Sequence, residues 1–428
     1  MSAQENAKWT LMVYLAGDNN LSSAGEKDLS EMRSVGSTSD VNVIAEFDRI
    51  GDAHETMRYH IQRDGLNETT VSLGETDSGD PEVLCSFVDW VAERYPADRY
   101  GLVLWNHGGG WAPTEIDRIA TEVQAKDYNL REATDRAATP ISRALFRTTL
   151  TSVLTQSTPI DRAICCDDGS GHSLDTVELG RVLDRVTASL GQPLEFIGMD
   201  ACLMSNLEVA YQCRPYAKTM VASEESEPND GWPYGRVLKS LVTDPSQSGA
   251  DLGAAIVSAY IDSYVQAKYT GAITQTALNL GAMDPLADAL DRLSDALISQ
   301  LPGEKFGIWS AQAAAPSFWH LTLWDLYQFC QGLVGGKVGY EIVHAAQAVQ
   351  NALEAGPESF VLAESHRGST VEGCGGASIY MPLPIPRVGI SQYYGELDFS
   401  REHRWIDLLN AYHGRAAELS VGGSQGAP

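Results

Sequence analysis

The chain has 428 residues, 43% of them hydrophobic and 20% charged, which is enough for one large α/β domain with additions or for two domains. Its 57 acidic against 30 basic side chains leave a net charge of −27, a field that repels nucleic acid and anionic membrane surfaces and favours basic peptides. Cys85, Cys165, Cys166, Cys202, Cys213, Cys330 and Cys374 have neither the density of a disulfide scaffold nor the spacing of a zinc site.

The opening stretch, MSAQENAKWTLMVYLAGDNN, does not read as a signal peptide, because Asp18, Asn19 and Asn20 interrupt its apolar residues early. No run approaches the length of a membrane span, so a cytoplasmic location is expected for the chain as given, with secretion of a chain that has lost its leader left open. Strands are predicted at 10–16, 41–47, 101–106, 194–199 and 217–222. Their near-continuous apolar runs suit a parallel sheet covered by helices on both faces. Asp18, just past the first strand, is expected to cap a helix starting near Ser22. Asp80 is expected to cap a helix with Pro81 at its first position, turning Val83, Leu84, Phe87, Val88 and Val91 inward. A helix over about 175–190 puts Leu179, Val182, Leu183 and Val186 on one face.

Between these elements, residues 111–162 form a polar insert rich in arginine, longer than a compact domain usually tolerates without a functional reason. Beyond about residue 235 the chain becomes helical, with amphipathic stretches at 251–267, 284–300 and 339–355, a strand-like run at 375–381 and a closing helix near 401–412. The expected organisation is a catalytic core over 1–235, a helix-rich region over 236–415 and a disordered tail over 416–428.

Two strand ends finish in a reactive side chain: GLVLWNHGGGW at His107 and LEFIGMDACLM at Cys202. In open α/β sheets ligands bind beyond the carboxyl ends of the strands, where both residues fall. A cysteine at the start of the next helix would have its thiolate favoured by the helix amino terminus and by a nearby imidazolium. The glycines after His107 let backbone approach a substrate, so the Gly108 and Cys202 amides are candidate oxyanion donors. The other cysteines read as packing residues: Cys85 and Cys213 on helices, Cys330 and Cys374 in the core, Cys165 and Cys166 in or beside a strand.

With these motifs, and with WTLMVYLAGDNNL, RAICCDDGSGHSLDTVEL, the long run from FIGMDACLM to EESEPNDGWPY, GGASIYMP and FSREHRWIDLL, the sequence resembles the clostripain-like cysteine peptidases from about residue 9 to about 410. The resemblance implies a caspase-like α/β/α sandwich with a mainly parallel central sheet, a helical C-terminal region, and a His107–Cys202 dyad that cuts after arginine or lysine. Asp200, two residues before Cys202, would bind the basic side chain, a partner that a partly desolvated carboxylate holds strongly. Asp230 is a candidate second pocket carboxylate. Glu224, Glu225 and Glu227 compete with it, with a solvated acidic loop the expectation for the first two.

Relatives of this type often activate themselves by cutting after a basic residue between the catalytic pair, and the Arg162–Ala163 bond is the first candidate here. No cofactor is required. Calcium is a possible activator, and the DDGSG run at 167–171 reads as a turn before it reads as a cation site. The expected partners are peptides or proteins with basic residues, with no nucleic acid and no membrane; the oligomeric state is left open. The competing readings are a latent caspase-like module that binds basic peptides, a nucleotide-binding protein that lacks the necessary glycine spacing, and a serine hydrolase that lacks the serine elbow.

Overall fold

The five apolar runs expected as strands all form, and they make the centre of one sheet. A computed structural model describes residues 6–18, 21–50, 55–106, 108, 110–111, 175–318, 321–354, 356–385, 388–391 and 393–414. The described strands are β1 (Ala7–Gly17), β2 (Val41–Arg49), β3 (Met57–His60), β4 (Thr69–Ser72), β5 (Ala97–Trp105), β6 (Leu194–Asp200), β7 (Ala217–Ala222), β8 (Ile273–Asn279), β9 (Ser317–Phe318), β10 (Leu323–Asp325), β11 (Val361–Arg367) and β12 (Ser378–Tyr380). The described helices are α1 (Ser22–Val35), α2 (Pro81–Arg94), α3 (Thr176–Leu190), α4 (Leu207–Cys213), α5 (Tyr234–Thr243), α6 (Gly249–Gln266), α7 (Met283–Ala314), α8 (Leu326–Gly335), α9 (Tyr340–Leu353), α10 (Asp398–Glu402) and α11 (Trp405–Tyr412).

Nine strands pair in the order β11-β8-β7-β6-β5-β1-β2-β3-β4. The inner five run parallel, while β3 and β4 on one flank and β8 and β11 on the other are antiparallel. Because side chains alternate across a strand, β1 sends Met12 and Tyr14 to one face and Leu11, Val13 and Leu15 to the other. The first face packs on α2, α3, α4 and the C-terminal helices, the second on α1, α5 and α6, which gives a three-layer α/β/α arrangement.

The helix starts follow the predicted chemistry in part. Asp80 accepts the Glu82 amide ahead of Pro81, and Asp175 with Glu178 forms a reciprocal capping box on α3. Asp18 does not cap α1, whose start at Leu21 takes no side-chain cap. The helix expected over 284–300 continues through Pro302 to Ala314, keeping Leu301 and Ile308 inward.

The second half contributes more sheet than its sequence suggests. β8 and β11 complete one flank of the main sheet, and β8 hides because Thr274, Gln275 and Thr276 are polar yet fully buried. Ser378–Tyr380 is a strand of a separate small sheet, β12-β10-β9, tied to the main body by a bridge between Asn206 and Ser378. No described helix is both long and apolar enough to cross a membrane.

Candidate functional site

Parallel pairing of β5 with β6 sets Trp105 beside Asp200, so the two strands end together at the carboxyl edge of the sheet. Asn106 locks that edge: its backbone N–H donates to the Asp200 carbonyl at 3.3 Å, and its side chain donates to the Ala16 carbonyl at 2.8 Å. Gly108 lies so close to the Cys202 backbone that a Cβ there would be 2.0 Å from the carbonyl oxygen and 2.8 Å from the amide nitrogen. Only glycine fits that approach. Trp111 closes the segment, its ring 4.4 Å from that of Tyr380 and 4.8 Å from that of Tyr394. His107 itself lies outside the described residues.

Cys202 is part-buried, whereas Cys85, Cys213, Cys330 and Cys374 are buried and free, as their reading as packing residues requires. Burial pushes the Cys85 thiol up to about 11 and that of Cys213 up to about 12, which keeps both inert. The expectation that Cys202 starts a helix needs correction. α4 begins at Leu207 with Asn206 as its cap, and Cys202 sits in the preceding turn, next to Leu203 at φ +66°. Backbone bonds pull this turn off the helical path: Leu203 N–H donates to the Glu225 carbonyl at 3.2 Å and Ser205 N–H to the Ser223 carbonyl at 2.8 Å. The sulfur is held by a different backbone group, since the Glu227 amide donates to Sγ at 3.2 Å. The thiol can in turn donate to the Glu227 carbonyl at 3.7 Å, so this residue serves either protonation state.

Acidic groups gather beside the sulfur. Asp200 is 4% exposed, and its Oδ2 accepts from the Tyr234 hydroxyl at 2.9 Å and from the Trp232 amide at 3.3 Å. Burial raises its pKa, opposed by hydrogen bonds from Glu227, Tyr234 and Trp232. Glu227 lies against Asp200 and accepts from the Gln275 side chain at 3.2 Å; burial first and Asp200 second push its pKa well up. Asp28, from α1, accepts from Trp105 Nε1 at 2.9 Å and is pushed up to about 9, chiefly by burial and then by Asp200. Gly231, at φ +57°, lets backbone pass the Asp200 carboxylate, where a Cβ would be 3.1 Å from both oxygens.

Asp230 sits apart from this buried set. It is exposed and paired with Lys27 at 2.7 Å. Glu224 is not the solvated loop residue expected from the sequence: it is fully buried, accepts from the Gly376 amide at 3.1 Å and hydrogen-bonds with Asp325. The cause is β8, whose Thr274 hydroxyl oxygen accepts the amides of Glu224 at 2.9 Å and Glu225 at 3.0 Å and draws the loop inward. Asp28 carries no motif that would single it out, because it stands in the first helix, far in sequence from Asp200 and Cys202; only the alternation of buried and exposed positions on α1 marks its face.

Two groups among the described residues have ligand atoms close enough to share a cation: Glu224, Asp325 and Cys374, and Asp18, Asp48 and Glu75, each set within 4.8 Å. The first set is fully buried and contains a thiol, while the second is all oxygen and reaches the surface through Glu75. Arg162, Cys165, Cys166 and the 167–171 run lie outside the described residues.

A sequence profile of the clostripain family matches residues 13–145 and 151–412. Clostripain of Hathewaya histolytica is 31% identical over 267 residues, 55% of this chain and 43% of that protein, so the match spans less than half of the relative's length. A secreted C11 cysteine protease from Bacteroides thetaiotaomicron, solved with an irreversible peptide inhibitor, superposes with a TM-score of 0.63 at 20% identity, covering 94% of this chain and all of that one. An inactive zymogen C11 protease from Parabacteroides distasonis gives 0.63 at 18% identity over 93% of this chain and 98% of that one. At these identities the two structures establish the fold, the caspase-like α/β/α sandwich expected from the sequence.

Proposed function

Because the chain belongs to the clostripain family, we propose that it is a cysteine endopeptidase cleaving after arginine or lysine, with Cys202 as nucleophile and His107 as acid and base. The observation that carries the reading is a part-buried thiol, held by the Glu227 amide, beside buried carboxyl groups at the end of a parallel sheet. The carboxyls would take the basic side chain of the substrate, with Asp200 at the base of the pocket and Asp230 at its rim.

In this mechanism the Cys202 thiolate attacks the carbonyl carbon, and the Gly108 and Cys202 amides receive the developing negative oxygen. The carbon–nitrogen bond breaks as His107 gives its proton to the leaving amine. Water, deprotonated by His107, then hydrolyses the thioester and returns the thiolate. Self-processing between His107 and Cys202, with cutting after Arg162, belongs to the same proposal. No step uses a cofactor. Calcium as an activator would be held by Asp18, Asp48 and Glu75, an oxygen set suited to a hard cation, where it would neutralise charge.

The test is hydrolysis of a fluorogenic arginyl amide by the wild-type chain and by Cys202→Ala, with a gel run alongside. Activity confined to the wild type, with fragments ending near Arg162, supports the reading; a Cys202→Ala protein that still cleaves overturns it. In the same assay Asp230→Ala is expected to lower kcat/KM on arginyl substrates only about threefold, because an exposed charge is screened. Asp200→Asn is expected to cost on the order of a hundredfold or more.

A further inference from the structure

Glu227 occupies a position that the reaction above does not use. Its backbone amide reaches Cys202 Sγ at 3.2 Å while its carboxyl group lies against that of Asp200, with Oε1 accepting from Gln275 at 3.2 Å and Oε2 buried with no donor facing it among the described residues. Among the described residues no lysine or arginine pairs with Asp200 or with Glu227. Two carboxyl groups in contact and away from water cannot both be ionised, so one proton must lie between them. The direction of the bond is set by the surroundings. Tyr234 and the Trp232 amide already donate to Asp200, which favours its charged form, and Glu227 is therefore the donor.

The geometry points to Glu227 as a specificity-determining residue whose carboxylic acid stands on Asp200 where a substrate cation would bind, so that an arginyl or lysyl side chain enters only as that proton leaves. This rests on the basic-specific reading proposed above and adds a proton to it. Each bound cation releases one proton to solvent, leaving Asp200 and Glu227 both ionised around it. Two carboxylates offer the planar guanidinium fork more hydrogen bonds than they offer an ammonium group, so arginine gains over lysine.

The other groups facing Glu227 do not replace it as the proton's source. Tyr234 on α5 and Tyr260 and Tyr264 on α6 are held neutral by burial and by the same carboxylates. Asp28 on α1 also holds a proton beside Asp200, so a proton released from it would persist in Glu227→Gln; Cys202 follows Asp200 in the next turn, and Gln275 on β8 does not titrate. Asp230, in the same loop as Glu227, is exposed and paired with Lys27. Glu227→Gln separates these contributions, because its amide donates to Asp200 permanently and has no proton to lose.

The experiment is calorimetric titration of the full chain carrying Cys202→Ala with agmatine, a guanidinium ligand without a scissile bond, in two buffers of different ionisation enthalpy near neutral pH. About one proton is expected to be released per agmatine bound, and close to none when Glu227→Gln is added. In the active chain, KM for an arginyl amide is expected to fall by up to about tenfold per pH unit on the acid side, and this slope should flatten in Glu227→Gln. Equal proton release with and without Glu227→Gln would overturn the assignment while leaving a basic pocket in place. Failure of agmatine to bind either protein would overturn the basic pocket itself, and Glu227's role with it.

Discussion

A single buried carboxyl can set a pH dependence, and Asp28 is the clearest case. Its pKa rises to about 9 through burial and the nearby Asp200, while in the unfolded chain it ionises near pH 4. Between those values the folded protein holds a proton that the unfolded chain has lost. The contribution is therefore most favourable below about pH 4 and disappears as pH rises toward 9. Asp28→Asn keeps an acceptor for Trp105 Nε1 and removes the proton. The urea midpoint of this variant should fall less between about pH 5 and pH 9 than that of the wild type, and equal slopes would remove Asp28 as the source. Asp28 and Thr274 also show why part of the site was hidden in the sequence. Neither adjoins a reactive residue in the chain, and both reach it only through packing.

At the scale of elements, the site depends on two strand ends meeting. Gly108 touches the Cys202 backbone with no room for a methyl group, and the atoms in the way are backbone, which cannot swing aside. Gly108→Ala should force the ends of β5 and β6 apart and reduce kcat/KM by at least about a hundredfold, since small displacements of reacting groups are costly. Near-normal activity in that variant would show that the approach is not needed. The loop from Ser223 to Glu227 is placed by β8 and by the Gly376 amide, so residues well past Cys202 in the chain set the position of the sulfur's hydrogen-bond donor. Helix starts such as Asp80–Pro81 were legible because a cap and the first turn are neighbours in sequence. The start of α4 was not, because the turn before it is shaped by bonds to Ser223 and Glu225 in the loop that follows β7.

Over the whole molecule, excess acid is both a surface property and a core property. The net charge of −27 works against the compact state by self-repulsion. Glu46 and Asp48 on β2 and Glu208 on α4 are each pushed up to about 7 by burial. Each of these carboxyls keeps its proton to a higher pH in the folded chain than in the unfolded one, so unfolding releases protons and a higher pH favours it. The thermal midpoint should be lower at about pH 8.5 than at about pH 5.5, and added salt should restore more of it at the higher pH, where repulsion is greatest. A midpoint that rose with pH would contradict both effects. The strands β8 and β11 tie residues beyond 235 into the main sheet, so losses in the C-terminal half should reach the active-site loop.

The sequence by itself determined the parallel centre of the sheet, the layered α/β/α class, the family, and the strand end that Cys202 follows. Apolar runs, caps and short motifs are written in neighbouring residues, and local physics reads them. The tertiary structure decided what lies around Cys202: the Glu227 amide on the sulfur, the burial of Glu224, the grouping of Asp28, Asp200 and Glu227, and the exposure of Asp230. These depend on which distant segments share one interior, where the lack of water and the nearness of other carboxyl groups turn ordinary acidic side chains into groups that hold protons.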